Sequence, residues 1–159
     1  MLKKQKLVAV FLVFSLIIGI LPVSVLAADT TGSFEATGGM VYYEIDDASQ
    51  TVTITGCDTT VTAIEIPNSL EKLPVTKIAD SAFSNKMSGY VKPHDSLTSV
   101  KLPSTLTSIG ARAFYDCTNL SNADLAACTG LKTIGDLAFY DCTNLSNADL
   151  AACTGLKTI

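Results

Sequence analysis

The chain has 159 residues, with 11 basic and 15 acidic side chains and a formal net charge of −4 at pH 7. Three of the lysines lie within residues 3–6, so the rest of the chain is more acidic still. This balance excludes a protein that is held to nucleic acid or to an anionic membrane by a basic surface.

Residues 1–28 have the pattern of a secretory signal peptide. Basic residues at 3–6 precede an apolar run at 7–21, and small residues at 25–27 offer a cleavage site. An uncleaved membrane anchor is the alternative, because the apolar stretch is nearly long enough to span a bilayer. Pro22 and the small residues favour cleavage, so we expect an extracellular protein that meets the membrane only through its export signal.

Residues 29–60 are predicted to form a polar leader and then an N-terminal β-hairpin cap. The stretches 41–45 and 51–55 alternate in the period-2 manner of strands, and the turn-forming residues 46–50 separate them. A terminal unit of a repeat array differs from the others because it must cover the apolar end of the stack.

Residues 61–159 are predicted to form a solenoid of about four coils, the last of them incomplete. Residues 113–134 and 138–159 are the same string, AFYDCTNLSNADLAACTGLKTI, repeated with a period of 25. A fixed period of this length, with leucines at set offsets, is typical of stacked coils rather than of a globule around one centre.

Each coil contains an apolar-x-apolar triplet, and the triplets are expected to pair side by side in one parallel sheet with the apolar side chains facing inward. The triplets lie at 64–66, 100–102, 123–125 and 148–150. Short Ala-Phe segments are expected to form single helical turns around 80–84, 111–115 and 136–140. Phe83, Phe114 and Phe139 should then share one continuous apolar column.

The five cysteines are Cys57, Cys117, Cys128, Cys142 and Cys153. Four of them occupy equivalent repeat positions, which favours buried thiols in a ladder. A bridging or redox role is the alternative, because export permits disulfides. No C-x-x-C pair with a nearby histidine is present, so neither a metal nor a cofactor is predicted.

Two rows of aspartates should stack like charges if the coils are in register. The rows are Asp116 with Asp141, and Asp124 with Asp149. Screening by water and salt is the simpler outcome, and a Ca²⁺ bridge is the alternative. Four asparagines are expected to bond the backbone of turns: Asn119, Asn122, Asn144 and Asn147.

The stretch 109–120, IGARAFYDCTNL, and its counterpart 134–145 resemble the signature of BspA-like leucine-rich repeats (the LRR_5 type). The resemblance implies a leucine-rich-repeat solenoid, mainly β with short helical turns, a parallel β-sheet along one face and an N-terminal β-hairpin cap. It also implies a secreted or surface-displayed protein, mostly bacterial, with roles in adhesion. Ala126 and Ala151 depart from the pattern, because proline usually follows the strand there.

Candidate ligand contacts are of two kinds. Exposed tyrosines in neighbouring coils can contact sugars or protein surfaces, and the inserted loop 84–95 carries basic and aromatic residues on an acidic protein. The candidates are Tyr90, Lys92, His94, Tyr115 and Tyr140. The expected partner is an extracellular protein or a glycan.

A hydrolase that uses His94 with Asp95 is the enzymatic alternative, but the sequence shows no nucleophile elbow or other nucleophile motif to accompany them. The sequence therefore predicts a secreted or cell-surface module that binds a protein or a glycan without catalysis. A structural spacer, forming the N-terminal fragment of a larger surface protein, is the alternative.

Overall fold

A computed structural model describes residues 30–84, 86–87, 90–91 and 96–157, and it describes no side chain within 85–95. The predicted signal peptide at 1–28 lies outside the described residues. The strands are β1 (Thr31–Ala36), β2 (Gly39–Asp46), β3 (Thr51–Cys57), β4 (Ala63–Glu65), β5 (Ser69–Leu70), β6 (Leu73–Ile78), β7 (Lys86–Met87), β8 (Tyr90–Val91), β9 (Ser99–Lys101), β10 (Ser108–Ile109), β11 (Asn122–Asp124) and β12 (Thr133–Ile134).

Two sheets run along the repeat region, and each of the first three coils contributes one strand to each sheet. The first sheet has the order β1-β2-β3-β6-β10-β12, with β5 paired to β6, and the second has the order β11-β9-β4. Pairing between strands of successive coils is parallel in both sheets. The second sheet is the predicted parallel arrangement of the first three triplets, and it confirms the leucine-rich-repeat architecture. The prediction of a single sheet of four triplets was wrong, because β6, β10 and β12 belong to another sheet and the fourth triplet forms no strand, its coil being joined to the second sheet by the bridge between Asn122 and Asn147.

The predicted hairpin is present as β2 and β3, which pair antiparallel. A polar leader was predicted before the hairpin. The chain there is instead largely a strand, β1, which begins at Thr31 and pairs antiparallel with β2. Phe34 packs against the core from this strand. Gly32 makes the pairing possible, since a Cβ at this position would overlap the ring of the buried Tyr43.

The core consists of columns in which equivalent residues of successive coils lie on one another. The rings of Phe83 and Phe114 stack with centroids 5.0 Å apart, and those of Phe114 and Phe139 are also 5.0 Å apart and nearly parallel. The predicted phenylalanine column is therefore confirmed. The inward residues of the triplets are buried as well, as Val100 and Ala123 show.

The segments predicted as single helical turns are instead successions of β-turns, and no helix occurs within the described ranges. Ser81, Arg112 and Leu137 are equivalent residues with φ of 56°, 55° and 57°. A left-handed residue interrupts an α-helix. It also turns alternate N–H groups towards the next coil, so that the Phe114 N–H donates to the Ala138 carbonyl at 2.8 Å.

The inserted loop contains a small two-stranded antiparallel sheet formed by β7 and β8. Tyr90 lies in β8, where only its backbone is described. Lys92 and His94 lie outside the described residues, as does Asp95, so the enzymatic alternative is not tested by the structure.

Candidate functional site

The second sheet displays two columns of side chains on its outer face. Residues 63–65, 99–101 and 122–124 are aligned in parallel register. The central residue of each strand points into the core, so the flanking residues point outward. The first column contains small or amide side chains and the second contains charged ones.

The end of β1 is attached to this sheet and forms a wall beside it. The Thr37 N–H donates to the Ala63 carbonyl at 3.2 Å, and the Thr62 N–H donates to the Thr37 carbonyl at 2.8 Å. Gly38 follows with φ of 96°, and a Cβ there would overlap the Thr60 carbonyl. The wall is thus fixed by backbone bonds and by a turn that only glycine fits well.

A groove of about 590 Å³ lies between the wall and the sheet. This volume is within the range of ligand-binding clefts. Glu35, Ala36 and Thr37 form the wall. The outward side chains of its floor are Ala63, Glu65, Ser99, Lys101, Asn122 and Asp124.

The groove is acidic. The Lys101 ammonium donates to the Glu65 carboxylate at 2.6 Å, and both side chains are largely exposed. The hydrogen bond to Glu65 raises the pKa of Lys101, and the negative charge of Asp124 acts in the same direction. Among the described residues that line the groove, Lys101 is the one cation beside three carboxylates, so these residues make the field there negative.

The floor continues past the groove through an amide pair. The Asn147 side chain donates to the Asn122 side chain at 3.0 Å, because these residues face each other across a parallel bridge. The prediction that Asn122 and Asn147 bond the backbone of turns was therefore wrong for this pair. The strand positions of the two residues place their amides on the sheet surface, where the nearest equivalent group is the other amide.

Asp124 and Asp149 have a structural role. The Asp124 carboxylate accepts the Ala126 N–H at 3.0 Å, and the Asp149 carboxylate accepts the Ala151 N–H at 2.8 Å. Within the described residues there is no group of three or more His, Cys, Asp or Glu side chains that could hold a metal ion.

The tyrosine candidates of the repeat lie together on the surface of the turn segments. The rings of Tyr115 and Tyr140 stack with centroids 5.2 Å apart, and Tyr140 is 49% exposed. Leu137 precedes Tyr140 in the same turn and is 45% exposed. The two rings cover each other's facing sides, so a partner would contact their outer faces, their edges or their hydroxyls.

Cys117, Cys128 and Cys153 are buried in the coils, whereas Cys57 and Cys142 are partly buried, and none of the five forms a disulfide in this structure. The Cys117 and Cys142 thiols donate to the carbonyls of Phe83 and Phe114 at 3.1 Å and 3.0 Å. The hydrogen bond to the Cys142 thiol, together with burial, raises the pKa of Cys117, and the same bond lowers the pKa of Cys142. Burial also raises the pKa of Cys128, to about 11. Protonated, buried thiols are poor nucleophiles.

The groove was not among the sites predicted from the sequence. Its wall comes from the end of β1 and from Thr37, which the sequence analysis placed in the N-terminal cap without predicting a strand there. The alternation in Thr31–Ala36, with Phe34 and Ala36 on one side, is the signal that would have revealed the strand. Even so, no local pattern states that Thr37 is bonded to Ala63.

The described residues contain no helix with the length and apolar character needed to cross a membrane. This finding concerns only the described part of the chain.

A family model described as the BspA type leucine rich repeat region matches residues 56–159 in six copies. A search of curated proteins found no match. Comparison with solved structures did find similar proteins.

The leucine rich repeat protein of Treponema pallidum is 29% identical with a TM-score of 0.57, over 67% of this chain and 46% of that one. A leucine rich cell surface protein of Faecalibacterium prausnitzii is 30% identical with a TM-score of 0.58, over 80% of this chain and 32% of that one. This chain thus spans less than half the length of either protein.

A leucine-rich repeat protein of Bacteroides capillosus has a TM-score of 0.56 over 80% of this chain and 98% of that one. Its sequence is 24% identical, so this likeness shows the fold alone.

Proposed function

This chain belongs to the BspA-type leucine-rich-repeat family, and we propose that it is a secreted or cell-surface module that binds an extracellular macromolecule without catalysing a reaction. The observation that carries the proposal is the open outer face of the second sheet with its groove of about 590 Å³. A solenoid core fixes these side chains in rows, which suits recognition of an extended partner.

The extracellular location rests on two supports. Residues 1–28 have the signal-peptide pattern, and the similar Faecalibacterium prausnitzii protein is described as a cell surface protein. We expect cleavage close to residue 28, which mass spectrometry of the exported protein would reveal. An intact N-terminus in the membrane fraction would instead support the uncleaved anchor.

Binding without catalysis fits the chemistry of the described residues. The polar side chains on the sheet face lie in two rows along the coils, whereas catalysis needs a nucleophile, an acid and a base that converge on one point. The Cys117 and Cys128 thiols are buried and their pKa values are raised, so these two are unsuited to nucleophilic attack. The Cys142 thiol, whose pKa is lowered by its hydrogen bond with Cys117, is partly buried and donates to the Phe114 carbonyl.

The tyrosine pair is proposed as a second contact region on the turn surface. Tyr115 and Tyr140 offer an amphipathic edge beside exposed Leu137, and aromatic residues of this kind are enriched where proteins meet. Tyr90, Lys92 and His94 of the inserted loop remain proposed contacts as well.

The test is adhesion of the exported protein to immobilised extracellular-matrix proteins, to glycan arrays and to whole cells. We expect saturable binding to at least one of these surfaces. Exchange of both Tyr115 and Tyr140 for serine tests the second region, with Tyr42→Ser, an exposed tyrosine of the hairpin, as the matched control. Absence of binding to every surface would contradict the proposed function.

A further inference from the structure

The groove beside β1 has the shape of a site for an extended chain. Its floor is a short parallel sheet whose rows advance by about 4.8 Å from coil to coil. The residues of the first row, Ala63, Ser99 and Asn122, have short side chains. A ligand backbone can therefore lie close to the sheet along this row.

The chemistry of the lining argues against a sugar ligand. No aromatic side chain is found among the described residues that line the groove. A sugar ring gains much of its binding from stacking on an aromatic face, as amphipathic aromatic residues provide in many sites. Amide and hydroxyl side chains such as Asn122 and Ser99 instead suit the N–H and C=O groups of a polypeptide backbone.

The charges select the kind of polypeptide. Glu35 on the wall is exposed, and Glu65 and Asp124 flank Lys101 on the floor. Lys101 bonds Glu65, so one cation faces three carboxylates. Partners across an interface carry complementary potentials, and the partner of this face is accordingly cationic.

From these observations we propose that the groove binds an extended polypeptide segment that carries lysine or arginine side chains. The inference rests on the proposed function and names its partner class. The ligand's cationic side chains would reach Glu35 on one side and the carboxylate of Asp124 on the other, while its backbone lies over the row of short side chains.

The experiment uses the exported protein and three fluorescent octapeptides in which threonine alternates with lysine, glutamine or glutamate. Fluorescence polarisation is measured at about 20 mM and about 300 mM sodium chloride, because salt screens exposed charge pairs. We expect the lysine peptide to bind most tightly, the glutamate peptide least, and the preference to shrink at high salt. Cellohexaose at excess should not displace the lysine peptide.

Glu35→Lys should weaken binding of the lysine peptide about fivefold, in line with the strength of exposed charge pairs. Glu44→Lys is the matched control, because Glu44 lies on β2, is exposed and does not line the groove. It changes the net charge equally and should leave binding unchanged. Glu35→Gln, which alters the strand least, should show a smaller loss in the same direction.

Equal binding of the lysine and glutamine peptides would overturn the inference, and so would equal losses from Glu35→Lys and Glu44→Lys. The adhesion assay separates this outcome from failure of the proposed function. Adhesion together with equal binding of the lysine and glutamine peptides would refute the groove inference alone, whereas peptide binding with no adhesion to any surface would refute the proposed function alone.

Discussion

The carboxylate of Asp124 accepts a hydrogen bond from the backbone N–H of Ala126 at 3.0 Å. Ala126 is aligned with Pro103 of the preceding coil, because Asp124 pairs with Lys101 in the parallel register. Proline has no N–H to satisfy. The coil that lacks the proline thus carries an aspartate two residues earlier that bonds the additional donor, and Asp149 does the same for Ala151.

This relationship predicts that the effects of changes at Asp124 and Ala126 are coupled. Asp124→Ala should lower the free energy of unfolding by about 1 kcal/mol, since it leaves a backbone donor without its side-chain acceptor. Ala126→Pro should be tolerated, because the Cys128 N–H bonds the Leu125 carbonyl, which places Ala126 at the turn position that favours proline.

A double-mutant cycle measured by urea denaturation checks the coupling. In the A126P background the same Asp124→Ala change should cost close to nothing. A full cost in both backgrounds would show that the aspartate stabilises the coil by some other contact.

Replacement of Gly135 by alanine is predicted to destabilise the fold, because two coils approach each other closely at this residue. A Cβ at Gly135 would overlap the backbone N and Cα of Ala111 in the preceding coil. Gly135→Ala should therefore lower the free energy of unfolding by about 2 kcal/mol, because backbone atoms of two coils would have to separate. Gly110, the equivalent residue, meets Asp80 and Ala79 in the same way.

Gly130→Ala is the matched control for this change. A Cβ at Gly130 has its nearest atom, the Leu106 carbonyl oxygen, at 3.8 Å, and φ is not in the left-handed region. The free energy of unfolding of the Gly130→Ala variant should be unchanged or slightly raised, since alanine lowers the conformational entropy of the unfolded chain. If thermal denaturation gave equal losses for both alanine variants, close approach of the coils would not be the cause.

The phenylalanine column predicts unequal costs at two sites of identical local sequence. Phe114 is fully buried between two rings, whereas Phe139 is partly buried and stacks on Phe114. Phe114→Ala should cost about 4 kcal/mol, and Phe139→Ala about half as much. Chemical denaturation of both variants measures the difference. Equal costs would mean that local sequence, rather than position in the stack, determines the contribution.

Much of the architecture can be predicted from the sequence, because equivalent residues of successive repeats lie next to one another in the stack. Once Phe114 and Phe139 are recognised as equivalent, stacking in a parallel array is the arrangement that places both in one apolar column. The same logic identified Tyr115 and Tyr140 as neighbours on the surface. These predictions depend only on periodicity, which a sequence displays directly.

The features that the sequence analysis did not predict depend on contacts between unlike parts of the chain. The wall of the groove exists because Thr37 bonds Ala63, a contact between the hairpin and the first coil that no repeat encodes. The turns replaced the expected helical segments because Ser81 and Arg112 take positive φ. Neither residue type signals a left-handed conformation, so propensity could not reveal it.

A last prediction concerns the pH dependence of stability. Burial raises the pKa of the Cys128 thiol from its ordinary value of 9.0 to about 11 in the folded protein. Between these values the unfolded chain loses this proton and the folded protein keeps it. The contribution of Cys128 is thus fully present below about pH 9 and is lost as the pH rises towards about 11.

Cys128→Ala should make the free energy of unfolding fall less steeply with pH, by up to about 1.4 kcal/mol per pH unit, which corresponds to one proton. The packing lost with the thiol should lower the free energy of unfolding at every pH. Thr129→Ala, an exposed change at the next residue, should keep the slope of the natural chain. Urea denaturation at about pH 8 and about pH 10.5, with a reducing agent present, measures these slopes. Parallel slopes for the natural chain and Cys128→Ala would show that the thiol ionises alike in both states, which the buried ladder position does not allow.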